Sequence, residues 1–138
     1  MTTGVLLDTG PLVAILSRKD SYHRPCVAQL RTITPPLLTC WPVITEAAWL
    51  LRHHAGAVQR LLASFPEGWI TLLTLGERDA EPIGKILQRY RKLNAQLADA
   101  ALVHLAERER LDTVFTLDRR DFSVYRFSGN RSFHLLPE

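Results

Sequence analysis

Apolar and polar positions change period along this chain. Val5 to Leu7 is an apolar run closed by Asp8, Gly10 and Pro11, which reads as a buried strand ended by turn formers. Leu12 to Leu16 follows as a short helix. From about Tyr22 to Ile33, Val27, Leu30 and Ile33 fall at helical spacing, and Pro35-Pro36 stops the segment. Leu37 to Thr39 is a short strand, after which Thr45 can cap a helix running through Ala47 to Leu51. Ala57 to Phe65 reads as a helix bounded by Gly56 and Pro66. Trp69 to Leu73 has the β-branched and aromatic content of a strand. Ile83, Ile86, Leu87 and Tyr90 mark one face of a helix from about Asp79 to Lys92. Leu97 to Arg110, rich in Ala and Leu and free of Gly and Pro, is the clearest helix. Val114 to Leu117 is a strand, Arg119 to Phe122 a short turn or helix, and Ser132 to Leu136 a last edge strand.

Strands alternate with helices, so the expected class is α/β: a mostly parallel central sheet covered by helices on both faces. Right-handed crossovers bring the carboxyl ends of such strands to one edge, where this class of fold places its chemistry. Two strands end there in an acid, Asp8 after the first and Asp118 after Thr113 to Leu117. Glu46 and Asp99 stand near helix starts and complete a set of four. Each alone has an ordinary reading, as a turn residue, a cap or a charge at a helix dipole. Together they weaken that reading, because all four sit on short apolar backgrounds where a buried charge is costly. Asp99 is the sharpest case, between Leu97-Ala98 and Ala100-Ala101-Leu102-Val103.

Two carboxylates about 4 Å apart repel by roughly 4 kcal/mol at an effective dielectric of 20, and a divalent cation inverts that penalty. Hard oxygen donors without Cys or His spacing favour magnesium or manganese over zinc. Carboxylate-bound cations of this kind serve phosphoryl chemistry. The net charge of +3 and the pI near 9.2 permit a polyanionic partner without demanding one. At 138 residues the chain is expected to form one domain, 1–138. It carries no apolar run of membrane-spanning length and no basic flank at its start, so a cytoplasmic protein without membrane contact is expected. Cys26 and Cys40 are expected to be buried thiols.

At four places the sequence resembles the PIN domain family, and within it the VapC-like toxins of toxin–antitoxin pairs. Leu6-Leu7-Asp8-Thr9-Gly10-Pro11-Leu12-Val13-Ala14 is similar to the first family motif and Thr45-Glu46-Ala47 to the second. Leu97 to Ala106 resembles the third, and Thr116-Leu117-Asp118-Arg119-Arg120-Asp121-Phe122 the fourth. The resemblance implies a PIN-like three-layer α/β/α sandwich and a magnesium-dependent (or manganese-dependent) endoribonuclease. It implies that Asp8, Glu46, Asp99 and Asp118 form the catalytic pocket, with Asp8, Asp99 and Asp118 as metal ligands. Thr9 and Thr116 would support them as neighbouring hydroxyls. A cognate antitoxin, an RNA substrate and a homodimer are the implied partners. Many relatives carry extra acids before the third motif, where this chain has Lys92 and Gln96.

Arg89, Arg91 and Lys92 before the third motif, and Arg119 and Arg120 after the fourth, are candidate RNA contacts. Asp121 is expected to cap the turn before Phe122. Trp41 and Trp49 are expected in core or dimer packing, and His53-His54 on the surface. Two other functions fit parts of the chain. Leu6-Leu7-Asp8-Thr9-Gly10 matches the signature of a retroviral-type aspartic protease, whose fold is almost all strand with a Gly-rich flap; the long Ala/Leu helices argue against it. A PIN-like binding module without catalysis is the other. A flavodoxin-like nucleotide binder lacks its Gly-rich phosphate loop here.

Overall fold

The structure is a computed structural model and describes residues 4–138. Five strands form one sheet: β1 (Val5–Leu7), β2 (Leu37–Thr39), β3 (Ile70–Leu72), β4 (Thr113–Phe115) and β5 (His134–Leu136). Their order is β3-β2-β1-β4-β5, and all four pairings are parallel. Each strand has three residues, so the sheet is narrow, and its inner strands are mostly apolar, with Thr39 and Thr113 the polar positions.

The described residues include seven α-helices: α1 (Thr9–Leu16), α2 (His23–Leu30), α3 (Trp41–Leu50), α4 (Ala57–Glu67), α5 (Ala80–Arg89), α6 (Leu97–Glu109) and α7 (Arg119–Phe122). The chain steps from β1 to β2 to β3 in one direction and then returns to β4 beyond β1. Right-handed crossovers put α1–α4 on one face and α5–α6 on the other. Packing largely follows that division: α1 touches α2, α3 and α4, and α5 packs on α6, while α3 also reaches α6. The reversal leaves a switch point between β1 and β4, the place where α/β sheets open a crevice at their carboxyl edge.

Helix α6 explains much of the core. Ala98, Ala100, Ala101, Leu102, Val103, His104, Leu105 and Ala106 are all buried, so this helix is covered nearly all round. One buried polar cluster ties it to the loop before α5. His104 Nε2 lies 2.7 Å from Asp79 Oδ1, Arg108 reaches the same oxygen at 3.3 Å, and the Gly76 N–H donates to Asp79 Oδ2 at 2.8 Å. These bonds hold the Asp79 carboxyl well down, to about 2, the Gly76 bond contributing most.

Several boundaries differ from the sequence reading, three of them for a clear reason. Helix α3 begins at Trp41, not after Thr45, because Cys40 is extended and Pro42 suits a first helical turn. Thr45 therefore lies inside the helix and caps nothing. Helix α4 runs through Pro66 to Glu67 and ends at Gly68, whose φ of 89° closes it. The segment 79–92 divides into α5 and two flanking 3-10 turns. Cys26 and Cys40 are free and buried, as expected. Trp41 and Trp49 are 56% and 63% exposed, so neither is a core residue of this chain. No helix among the described residues is long and apolar enough to cross a membrane.

Candidate active site

The pairing of β1 with β4 builds the first half of the site. Leu7 lies beside Phe115 in register, so Asp8 and Thr116 emerge together at the strand ends. The Thr116 hydroxyl donates to Asp8 Oδ2 at 2.7 Å and accepts the Asp118 N–H at 3.0 Å. Asp8 occupies the N-cap position of α1, yet its carboxylate does not cap the helix. The side chain is held by the neighbouring strand instead and left facing the crevice. Gly10 keeps that crevice tight: a Cβ there would come within 3.3 Å of the Leu117 side chain.

Asp8, Glu46, Asp99 and Asp118 line one cleft of about 550 Å³, with Thr9, Gln96 and Asp121 among its other walls. The four expected acids thus reach it from β1, α3, α6 and the loop after β4. Thr116 is fully buried beneath it. Asp8 is only 5% exposed, and burial above all pushes its carboxyl up to about 7. The Thr116 hydroxyl and the Thr9 backbone N–H pull against that rise, while Asp99 and Glu46 add to it. Asp99 is raised for the same reasons, burial first, with Asp118 and Glu46 as its charged neighbours.

Asp118 has a second task. Its Oδ1 accepts the Asp121 N–H at 3.1 Å and caps α7. The turn is therefore capped by Asp118, and Asp121 lines the cleft as a fifth acid, the reverse of the expectation for Asp121. The spacing contained the signal: residues three apart on a helical turn share a side.

Tyr125 is the contributor that no motif indicated. It is completely buried, its ring edge-on to Tyr90 and Phe122, and its hydroxyl lies 3.2 Å from Asp99 Oδ2. The Gln96 N–H reaches the same oxygen at 3.4 Å. With Oδ2 engaged twice, Oδ1 is the oxygen left for a ligand. Burial raises the Tyr125 hydroxyl's own pKa, so it stays a donor. Tyr125→Phe is expected to weaken manganese binding, followed by electron paramagnetic resonance, by about tenfold, with little change in fold. Unchanged affinity would make Tyr125 a packing residue only.

A divalent cation suits these walls. Among the described residues, Thr9 Oγ1 is the one buried side-chain oxygen or nitrogen without a hydrogen-bond partner, and it belongs to the same cleft. The donor set is oxygen and amide only, with neither Cys nor His among the lining residues. No group of three His, Cys, Asp or Glu side chains among the described residues stands close enough to enclose an ion unaided. The walls fit an ion that takes one or two carboxylates and keeps several of its waters.

The candidate RNA-contacting cations are exposed and outside the cleft wall. Arg91 donates to the Gln88 carbonyl at 3.0 Å and Arg119 to that of Pro137, while Arg89 lies 5.9 Å from the Tyr90 ring centre. Lys92 and Arg120 stand in the turns that precede Asn94 and follow Asp118.

Comparison with known proteins agrees with this fold. A family model described as PIN domain matches residues 5–128. The chain is 29% identical over 135 residues to Ribonuclease VapC26 of Mycobacterium tuberculosis, covering 96% of this chain and 100% of that protein. The solved structure of Mycobacterium tuberculosis VapC20, titled a Sarcin-Ricin loop cleaving toxin, superposes with a TM-score of 0.77 at 16% identity. That match covers 85% of this chain and 92% of the other.

Proposed function

The chain belongs to the PIN domain family, and we propose that it is a divalent-metal-dependent endoribonuclease acting as the toxin of a toxin–antitoxin pair. One observation carries the reading: carboxylates from four separate segments meet at the switch point of the sheet, the most buried of them raised to about 7. Such an arrangement is unfavourable for stability and gains its use when a cation enters. A magnesium or manganese ion bound there would supply charge neutralisation and a more acidic water for attack on a phosphodiester.

The chain's own residues divide the remaining work. Asp8 and Asp99 are the proposed direct ligands, each held by one hydroxyl, Thr116 and Tyr125 respectively. Asp118 completes the wall while its N–H keeps Thr116 oriented. Glu46, partly exposed on α3 and without a hydrogen bond to the described residues, would orient the attacking water. Thr9 offers its unpartnered hydroxyl to a water or to the ion. In-line attack by water leaves a 3′-hydroxyl and a 5′-phosphate. Arg89, Arg91, Lys92, Arg119 and Arg120 would grip the flanking backbone. Work in the cytoplasm, a homodimer and a cognate antitoxin complete the proposal.

The test is cleavage of RNA by the purified chain, with end-group analysis. Magnesium or manganese should support cleavage to 5′-phosphate ends, and chelator should stop it. Cleavage that survives chelator, or that leaves a 2′,3′-cyclic phosphate, would overturn the proposal. Absence of cleavage with intact RNA binding would favour the non-catalytic binding module.

A further inference from the structure

A second cleft is larger than the acidic one. It measures about 810 Å³ and opens between the turn joining α1 to α2 and the turn joining α3 to α4. Arg18, Lys19, His23, His53, His54 and Arg60 line it, and no Asp or Glu does. The acid next in sequence, Asp20, turns its Oδ1 to the Tyr22 N–H at 2.8 Å. None of the arginines or the lysine in this wall has an ion-pair partner among the described residues.

The cleft is built rather than accidental. Arg60 crosses it, donating to the Leu16 carbonyl at 3.1 Å and to the Ala55 carbonyl at 3.3 Å, so one guanidinium pins both turns. His23 Nδ1 lies 2.7 Å from the Ala14 carbonyl. A carbonyl only accepts, so Nδ1 carries the proton and Nε2 is left for the cleft. Like charges held together without counter-charges oppose folding, and an anionic ligand reverses that.

We propose that this basic cleft binds the phosphate backbone of the substrate RNA away from the scissile bond, an inference that rests on the ribonuclease reading. Helix α1 links the two sites. Thr9 at its start lines the acidic cleft and Leu16 at its end lines the basic one. Eight residues make α1 about 12 Å long, so the two clefts lie within the reach of a few nucleotides. An acidic helical peptide is the other polyanion to weigh. Docking of an amphipathic helix needs a row of apolar anchors, and this wall offers only Ile15, Leu16 and Ala55.

The experiment compares the wild-type chain with the Arg18→Gln/Lys19→Gln and Arg18→Lys/Lys19→Arg double variants, after melting curves show all three folded. Binding of a labelled 20-nucleotide RNA is followed by fluorescence anisotropy in chelator, with a polyglutamate peptide in parallel. The neutral variant should bind RNA about tenfold more weakly at moderate salt, its slope of log affinity against log salt smaller by about 1.4. The charge-conserving variant should bind as wild type does. Equal RNA affinity in the neutral variant, or loss of polyglutamate binding alone, would overturn the proposal. Loss of RNA binding in a chain that cleaves no RNA with any divalent cation would instead sink the ribonuclease reading and leave the cleft standing.

Discussion

Asp8→Asn is expected to abolish RNA cleavage, by about 10³-fold, and to make the metal-free protein more stable at pH 8. Both effects come from one buried carboxylate. In the unfolded chain Asp8 titrates near 3.8, and in the fold near 7. The folded state therefore holds the proton more tightly, and stability is lost as pH rises between those values. At pH 8 the fold carries an ionised, desolvated carboxylate beside Asp99 and Glu46. Asparagine keeps the shape and can still accept the Thr116 hydrogen. Removing the charge should recover on the order of 2 kcal/mol, or a rise of about 7 °C in melting temperature. Calorimetry at pH 5 and pH 8 checks the sign: the gain should appear at pH 8 and shrink at pH 5. A variant that loses stability at pH 8 would mean that the ionised Asp8 is compensated by contacts absent from the present geometry.

The second large effect concerns the cation. Below about pH 7 the proton on Asp8 competes with the metal, so magnesium or manganese affinity should fall about tenfold per pH unit. Above that point it should level off. Titration calorimetry in two buffers of different ionisation enthalpy should detect close to one proton released per ion at pH 6 and far less at pH 8. Cleavage at limiting metal should follow the same curve. A flat affinity between pH 5.5 and 8 would remove Asp8 from the ligand set.

The sheet and most of the site were legible in the sequence because their signals are local. Apolar runs ending in Asp8 and Asp118 mark strand ends, and an acid inside an Ala/Leu helix marks Asp99. Less legible was whatever depends on partners distant in sequence. Thr116 was expected as a supporting hydroxyl, but its bond to Asp8 depends on β4 lying beside β1, a pairing across more than a hundred residues. Tyr125 looks like any aromatic until the fold brings it under Asp99. The swap of roles between Asp118 and Asp121 turns on which carboxylate closes a four-residue helix. Helix α3 starts early because a proline suits a first turn, a preference that the Thr45 cap signal masked. The basic cleft gathers residues from two turns separated by about thirty-five positions, and no single segment announces it.

The protease reading fails on architecture. An all-parallel sheet with seven helices cannot form an all-strand fold with a flap. Asp8 also shares its cleft with four other carboxylates from its own chain, where a protease of that kind would pair it with the matching aspartate of a second copy.

The most direct measurement compares wild type with Asp99→Asn for manganese affinity and RNA cleavage on the same folded samples. Metal affinity and cleavage should fall together, cleavage to background. Full cleavage by Asp99→Asn, or cleavage lost with manganese affinity intact, would contradict a metal site built on Asp8 and Asp99.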